Sequence, residues 1–338
     1  MMRKLLAAGA VFLLLGLLLA AAGGWYLQQF LERPNPTAIG FTVGKGWSLN
    51  RVARELESRG VISSADMFRL VGRFWGKGHI RAGEYRLEAG VKPQQVLEHL
   101  RRGQVVQHRI VIPEGFSNRD IIFLMSQRQW PDIGKVIADP ATRKKLGVEA
   151  VSLEGWLFPD TYFYNKDESA MQIVTRMVKR TQQVLQEEWA GRPKEIEARL
   201  KSPYDALIFA SIIEKETGQP QERPLISGVF HNRLKINMRL QSDPTVIYGI
   251  PDYDGDIKRK HLTTPTPYNT YTEHGLTPTP IANPGREAIH AALHPATTEA
   301  FYFVAKGDGS KSHRFSKTLK EHERNVKRYL RALRKRRH

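Results

Sequence analysis

Hydrophobic and polar positions give this chain three textures. From Leu5 to Leu31 no residue is charged, Leu5–Leu27 is almost wholly apolar, and Arg3 and Lys4 stand ahead of it. An apolar run of about 20 residues is long enough to cross a bilayer as a helix. Basic residues before such a helix and a large domain after it put the N-terminus in the cytoplasm. The expectation is an uncleaved single-pass anchor over 1–31 in the inner (cytoplasmic) membrane, with the body in the periplasm or outside. Ala20-Ala21-Ala22 keeps a cleaved signal peptide open as the alternative. The polar stretch around Pro34 and Pro36 reads as a linker over 32–40.

The second texture is a repeat. Phe41-Thr42-Val43 leads to Gly46 and then Val52 and Leu56; Tyr85-Arg86-Leu87 leads to Gly90, Val96 and Leu100; Ile110-Val111-Ile112 leads to Gly115, Ile121 and Met125. Each copy predicts a short strand, a glycine turn and a helix with an i, i+4 apolar pair. Ser48 and Ser117 are placed to cap two of these helices. The first two copies resemble the LysM-like module that binds glycan in cell-wall enzymes, which suggests a small α/β module over 41–105.

From about Val151 the pattern changes again. Leu153–Tyr164 holds five aromatics and two acids, and Ala170–Trp189 has helical periodicity. Ser202, Pro203 and Asp205 predict a capped helix start, with the helix running through Thr217 and stopping at Gly218. The stretch between Asp243 and Gly285 is rich in Pro, Gly, Thr, Asn and Tyr and reads as long ordered loops. Phe301–Val304 reads as a buried strand and Ser316–Leu333 as a closing basic helix, with a basic tail over 331–338 whose last residues, Arg334–His338, are frayed. The fold class expected is α+β: a transmembrane helix, the small α/β module, and a larger mixed domain over 106–330.

The helix after Ser202 carries the most informative chemistry. Leu207, Ala210 and Glu214 share one stripe, which puts a carboxyl among apolar neighbours. Burial disfavours the ionised form, raises the pKa and makes a general acid. The plainer reading is a helix-end glutamate paired with Arg223 or Arg233, while Glu216 reads as a solvated face. Gln241, Ser242, Asp243, Thr245 and Tyr248 form a short polar and aromatic block suited to sugar hydroxyls and a ring face. Asp243 as N-cap of a helix with Pro244 at its first position fits the same residues. Asn269, Tyr271 and Asn283 suit neutral carbohydrate better than phosphate, and fit a proline-stiffened loop equally well.

Charge and composition narrow the class. Lys and Arg number 52 against 34 acids, giving a net charge of +18 and a polyanionic neighbour. Export makes nucleic acid an unsuitable one. There is no cysteine, so disulfides and thiolate chemistry are excluded. No H-E-x-x-H, G-x-S-x-G, Walker or Rossmann motif is present. His231 and His290 sit beside apolar residues and read as core-edge histidines rather than metal ligands.

Leu153–Tyr164, Ala210–Thr217, Val229–Leu234, Leu240–Gly249, Pro280–Gly285 and Phe301–Val304 with His313 and Phe315 together resemble the endolytic murein transglycosylase (YceG-like) family. The resemblance runs from Phe41 to Tyr329 and aligns Glu214 with the family's catalytic acid. It implies cleavage of the MurNAc–GlcNAc bond of peptidoglycan strands to 1,6-anhydroMurNAc ends, with one carboxyl serving both proton transfers. It implies no metal or organic cofactor, and peptidoglycan synthases as neighbours. Glu154, Phe158, Asp160 and Tyr162 are the remaining substrate-side candidates. A membrane-anchored glycan binder without activity, a hydrolase pairing Glu214 with Glu154 or Asp160, and a DNA-uptake protein resting on charge alone are the rival readings.

Overall fold

The computed structural model describes residues 2–74 and 80–337. It has mixed α and β structure and divides into two compact units, Met1–Arg109 with Phe163–Glu168, and Ile110–Tyr162 with Ser169–His338.

The first unit opens with α1 (Met2–Glu32), whose Gly9–Glu32 part is long and apolar enough to cross a membrane, with its most apolar stretch exposed. The stretch expected as a linker is partly structured. Phe30 joins the core of this unit, and Asn35 is buried, its side chain donating to the Thr37 carbonyl. Strand β1 (Ile39–Val43), α2 (Leu49–Ser58), α3 (Ala65–Phe74), β2 (Gly83–Leu87) and α4 (Pro93–Arg102) follow. β1 pairs antiparallel with β2, Phe41 opposite Tyr85, and the alternate residues Phe41, Val43, Tyr85 and Leu87 enter one core with Val52, Leu56, Phe68, Val96 and Leu100.

β3 (His108–Val111) and α5 (Asn118–Ser126) complete the third repeat copy. In all three copies the turn glycine has positive φ (Gly46 77°, Gly90 87°, Gly115 75°), which a residue without Cβ adopts freely. The apolar pair beyond each glycine is fully buried. Ser48 accepts from the Arg51 amide, and Ser117 forms a capping box with Asp120.

Along the chain follow α6 (Ile133–Ala138), α7 (Pro140–Lys145), β4 (Thr161–Tyr164), which pairs with β3, and α8 (Ala170–Ala190). Then come α9 (Pro203–Glu216), α10 (Arg223–Lys235), α11 (Asp243–Tyr248), α12 (Arg259–Thr263) and α13 (Arg286–Leu293). The pair β5 (Tyr302–Ala305) and β6 (His313–Ser316) precedes α14 (Leu319–Arg337).

Helix α9 is the axis of the second unit. Leu207, Phe209, Ala210, Ile212 and Ile213 pack with Ile226 and Phe230 of α10, Leu185 of α8, and Ala288, Ile289 and Ala292 of α13. Burying side chains on all faces of one helix contributes about 1.5–3 kcal/mol per large residue, and this fixes the end of α9 in place.

Several boundaries differ from the sequence expectation. α9 ends at Glu216 because Thr217 is already extended, and the Asp205 carboxylate takes the Lys201 amide instead of completing the box with Ser202. Ser242, not Asp243, is the N-cap of α11. β5 is half-buried, as befits one strand of a lone pair with solvent beside it. α14 begins at Leu319 and runs on to Arg337, through residues expected to fray, while Met1 and His338 lie outside the described residues.

Candidate active site

Glu214 stands in the last turn of α9 and is 8 % exposed. Its Oε1 accepts from Arg223 Nη2 at 2.7 Å, and its Oε2 accepts from the Gly285 backbone amide at 3.0 Å. The same Arg223 nitrogen donates to Glu114 Oε2 at 2.8 Å, so one guanidinium spans two carboxylates. Both sequence readings of Glu214 therefore meet in one residue, buried on the apolar stripe and paired with Arg223. Burial pushes its pKa up, and the nearby Glu114 charge adds to this. The Gly285 amide and the Arg223 guanidinium oppose it, without reversing the direction.

Three chain segments converge on this carboxyl. Gly115, in the turn of the third repeat copy, lies against it, and a Cβ there would sit 3.5 Å from Glu214 Cγ. Lys215 Nζ donates to the Gly115 carbonyl at 3.1 Å, tying the turn to the end of α9. Gly115 N donates to the Asn283 carbonyl, and Asn283 N to the Phe116 carbonyl, so residues 115–116 and 283 pair directly. Gly285 is required by close approach: a Cβ on it would stand 2.0 Å from Glu114 Oε1.

Glu154 is a buried hub beside these segments. It accepts from the Asn118 amide (2.9 Å), from Tyr248 Oη (3.1 Å) and from Asn283 Nδ2 (3.4 Å), and burial pushes its pKa up to about 7. Asn283 is wholly buried. Its Oδ1 accepts from Leu157 N, and its Nδ2 also donates to the Phe116 carbonyl and to Asn118 Oδ1. Phe158 and Tyr162 are core residues, the Tyr162 hydroxyl donating to the Phe158 carbonyl. Asp160 is exposed just before β4 and accepts from the next amide, Thr161 N. Asn269 is wholly buried and donates to the carbonyls of His261, Leu262 and Thr264, while the Thr245 hydroxyl donates to the Ser242 carbonyl. Glu154 and Asn283 thus hold the segments around Glu214 together, while Asn269 and Thr245 order the 242–270 loops.

The remaining candidates collect elsewhere. Glu216 lies two residues beyond Glu214, about 200° further around the helix, and is half-buried instead of the solvated face expected. The Ser242 hydroxyl donates to its Oε1, and burial pushes its pKa up to about 7. Gln241 (φ 50°), Asp243 and Tyr271 share a cleft of about 340 Å³ with Glu216, Arg233 and Tyr302. Tyr271 Oη donates to Asp243 Oδ1 at 2.6 Å. Of the polar block, Gln241 and Asp243 thus line a cleft with Glu216, while Tyr248 turns to Glu154.

Sequence reasoning missed Glu114. The available signal was its place in the repeat: the residue before the turn glycine is Lys45 in the first copy, Ala89 in the second and an acid in the third. Of the two histidines, His231 is a core residue whose ring faces the Ala292 carbonyl at 2.8 Å, with its pKa pushed down to about 4 by burial. His290 is not core-edge; its side chain is 51 % exposed and paired with Glu188.

Residues 41–328 match the model of the YceG-like family. The chain belongs to that family. It is 31 % identical over 326 residues to the endolytic murein transglycosylase of Bacillus subtilis (strain 168), covering 91 % of this chain and 89 % of that protein. It is 24 % identical to the endolytic murein transglycosylase of Streptococcus pneumoniae (strain D39), covering 94 % of this chain and 64 % of that longer protein. The crystal structure of a yceG-like protein from Listeria monocytogenes superposes with a TM-score of 0.56 at 33 % identity, over 86 % of this chain and 99 % of that one.

Proposed function

We propose that this chain is an endolytic peptidoglycan lytic transglycosylase, with Glu214 as its acid and base. The observation that carries the reading is a carboxyl held on a buried helix end, its pKa raised, in a family whose relatives are named for this activity. One N–H on each oxygen leaves further lone-pair capacity, so the neutral form has a place for its proton.

Glu214 in its neutral form gives that proton to the oxygen bridging N-acetylmuramic acid and N-acetylglucosamine. The bond from muramic C1 to this oxygen breaks with its electron pair on the leaving group. The muramic C6 hydroxyl oxygen then bonds to C1, and the Glu214 carboxylate takes the hydroxyl proton. The product is a 1,6-anhydromuramic end, and the carboxyl returns to its starting state without water. Arg223 supports the anion in the middle of this cycle, and Gly285 N–H fixes its orientation. A second acid acting on water is not needed, in contrast to hydrolytic glycosidases.

The α1 helix is the single-pass membrane anchor in this reading, with the body on the outer face of the inner membrane beside the peptidoglycan synthases that extrude the strand. The β1–α2–α3–β2 unit is a LysM-like glycan-holding module over 41–105, preceding a catalytic domain over 106–330. Gln241, Asp243 and Tyr271 are the exposed or half-buried side chains best placed to meet sugar. Mass analysis of purified sacculi digested by the full chain tests the reaction. Anhydro-muropeptides support it, whereas reducing muramic ends would assign hydrolysis and intact sacculi would leave only binding.

A further inference from the structure

We propose that Glu188, His290 and His294 form a binding site for one divalent transition-metal ion of the Zn²⁺ type, joining α8 to α13. This goes beyond the glycan chemistry and does not depend on it. His290 and His294 stand one helical turn apart at the end of α13, with their rings stacked at a centroid distance of 4.3 Å and an interplanar angle of 23°. Glu188, near the end of α8, puts Oε2 at 2.8 Å from His290 Nδ1. One ligating atom from each of the three lies within 4.8 Å of the other two.

Donor atoms around a shared tetrahedral Zn²⁺ stand about 3.3 Å apart, given bonds of about 2.0–2.1 Å. The donors here lie within 4.8 Å of one another, so an ion draws them together from the His290–Glu188 pair already made, at a side chain of His290 that is 51 % exposed. Two imidazole nitrogens and one carboxylate oxygen suit Zn²⁺, Co²⁺, Ni²⁺ or Cu²⁺. Ca²⁺ and Mg²⁺ ask for oxygen throughout. The carboxylate is already oriented from behind. Arg286 Nη1 donates to Glu188 Oε1 at 2.6 Å, which turns Oε2 to the histidines in the manner of an outer-shell partner. Binding exchanges the His290–Glu188 hydrogen bond for two metal bonds, with the single N–H of the neutral imidazole then on its other ring nitrogen. The ion's remaining positions are open to water.

The location gives the ion a structural consequence. α13 begins directly after Gly285, whose amide holds Glu214, so pinning the far end of α13 to α8 stiffens the helix that presents this amide. The alternative is a solvated ion-pair network in which Arg286 holds Glu187 and Glu188, and His290 merely completes the set.

The experiment uses the full chain in detergent, stripped of metal, and titrates it with Co²⁺ followed by Zn²⁺. The expected result is one Co²⁺ per chain with the visible bands of four- or five-coordination, displaced by one Zn²⁺, and a higher thermal midpoint with Zn²⁺ present. His290→Ala, His294→Asn and Glu188→Gln each weaken Zn²⁺ binding by about tenfold or more and remove the thermal shift. His294→Asn keeps the His290–Glu188 pair, so it reads the site even if Glu188→Gln fails to fold. The absence of Co²⁺ bands, or equal Zn²⁺ affinity in His294→Asn and His290→Ala as in the parent, overturns the proposal.

Discussion

Glu114→Gln removes one negative charge beside Glu214 and leaves the shape of the site intact, so it isolates the electrostatics of the pair. Both carboxylates hold the same Arg223 nitrogen, at 2.8 and 2.7 Å, so the two accepting oxygens are no more than about 5.5 Å apart. Two unit charges at that distance interact by about 3 kcal/mol at an effective dielectric of about 20 and by less than about 1 kcal/mol in bulk water. The Glu114 side chain is 46 % exposed, which places the pair between these limits. A value near 1.4 kcal/mol corresponds to about one pH unit. The sign follows from the proton that Glu214 must carry before it can protonate the leaving oxygen. Removing the Glu114 charge makes ionisation of Glu214 easier, so the alkaline limb of kcat/KM for glycan cleavage moves to lower pH by up to about one pH unit. Arg223→Met does the opposite. It takes away the cation that favours ionised Glu214 and moves the same limb to higher pH, at a stability cost of about 3 kcal/mol for breaking a buried pair. Profiles measured on soluble glycan strands read both variants. An alkaline limb that stays put in Glu114→Gln, or moves in the same direction in both, refutes the charge assignment.

Asn283→Ala deletes a wholly buried side chain and orphans the Leu157 amide, so urea unfolding should report a loss of about 2–4 kcal/mol. Intact stability there would mean that the Asn283 network does not hold the loops together. Glu154 and Glu216 both titrate near 7 in the folded chain, against about 4.3 when unfolded. Between those values the native state binds the extra protons, so their contribution makes stability fall as pH rises from about 4.5 to about 7 and then level off, by up to ~4 kcal/mol for each group. Denaturation free energies at pH 5.5 and 8, compared with the Glu154→Gln/Glu216→Gln double variant, measure this directly. The double variant should have the flatter slope, and an unchanged slope removes these two groups from the account.

The local devices of this fold were legible in the sequence because they are set by near neighbours. The three turn glycines with positive φ, the Ser48 and Ser117 caps and the buried pairs Val52/Leu56, Val96/Leu100 and Ile121/Met125 follow from spacing alone. Glu214 was legible as a polar residue on the apolar stripe of α9. What spacing could not carry was the identity of partners far along the chain. Glu114 is 109 residues from Arg223, and Gly285 is 71 from Glu214. Glu216 looked like a solvated helix end because nothing local covers it; it is Ser242, 26 residues on, that folds over its carboxylate. Asn269 and Asn283 had the composition of sugar-binding side chains, yet each is spent on buried backbone groups, Asn269 on three carbonyls.

The most direct test of Glu214 as acid and base is Glu214→Gln in the full chain, which preserves size and shape while abolishing the transferable proton. Folded variant and parent, matched by thermal midpoint, are incubated with purified sacculi and the released muropeptides are weighed. The expected result is anhydro-muropeptides from the parent and a loss of about 10²-fold or more in the variant, the scale of a general acid–base contribution. Release of anhydro-muropeptides by Glu214→Gln at a rate near that of the parent would contradict the assignment.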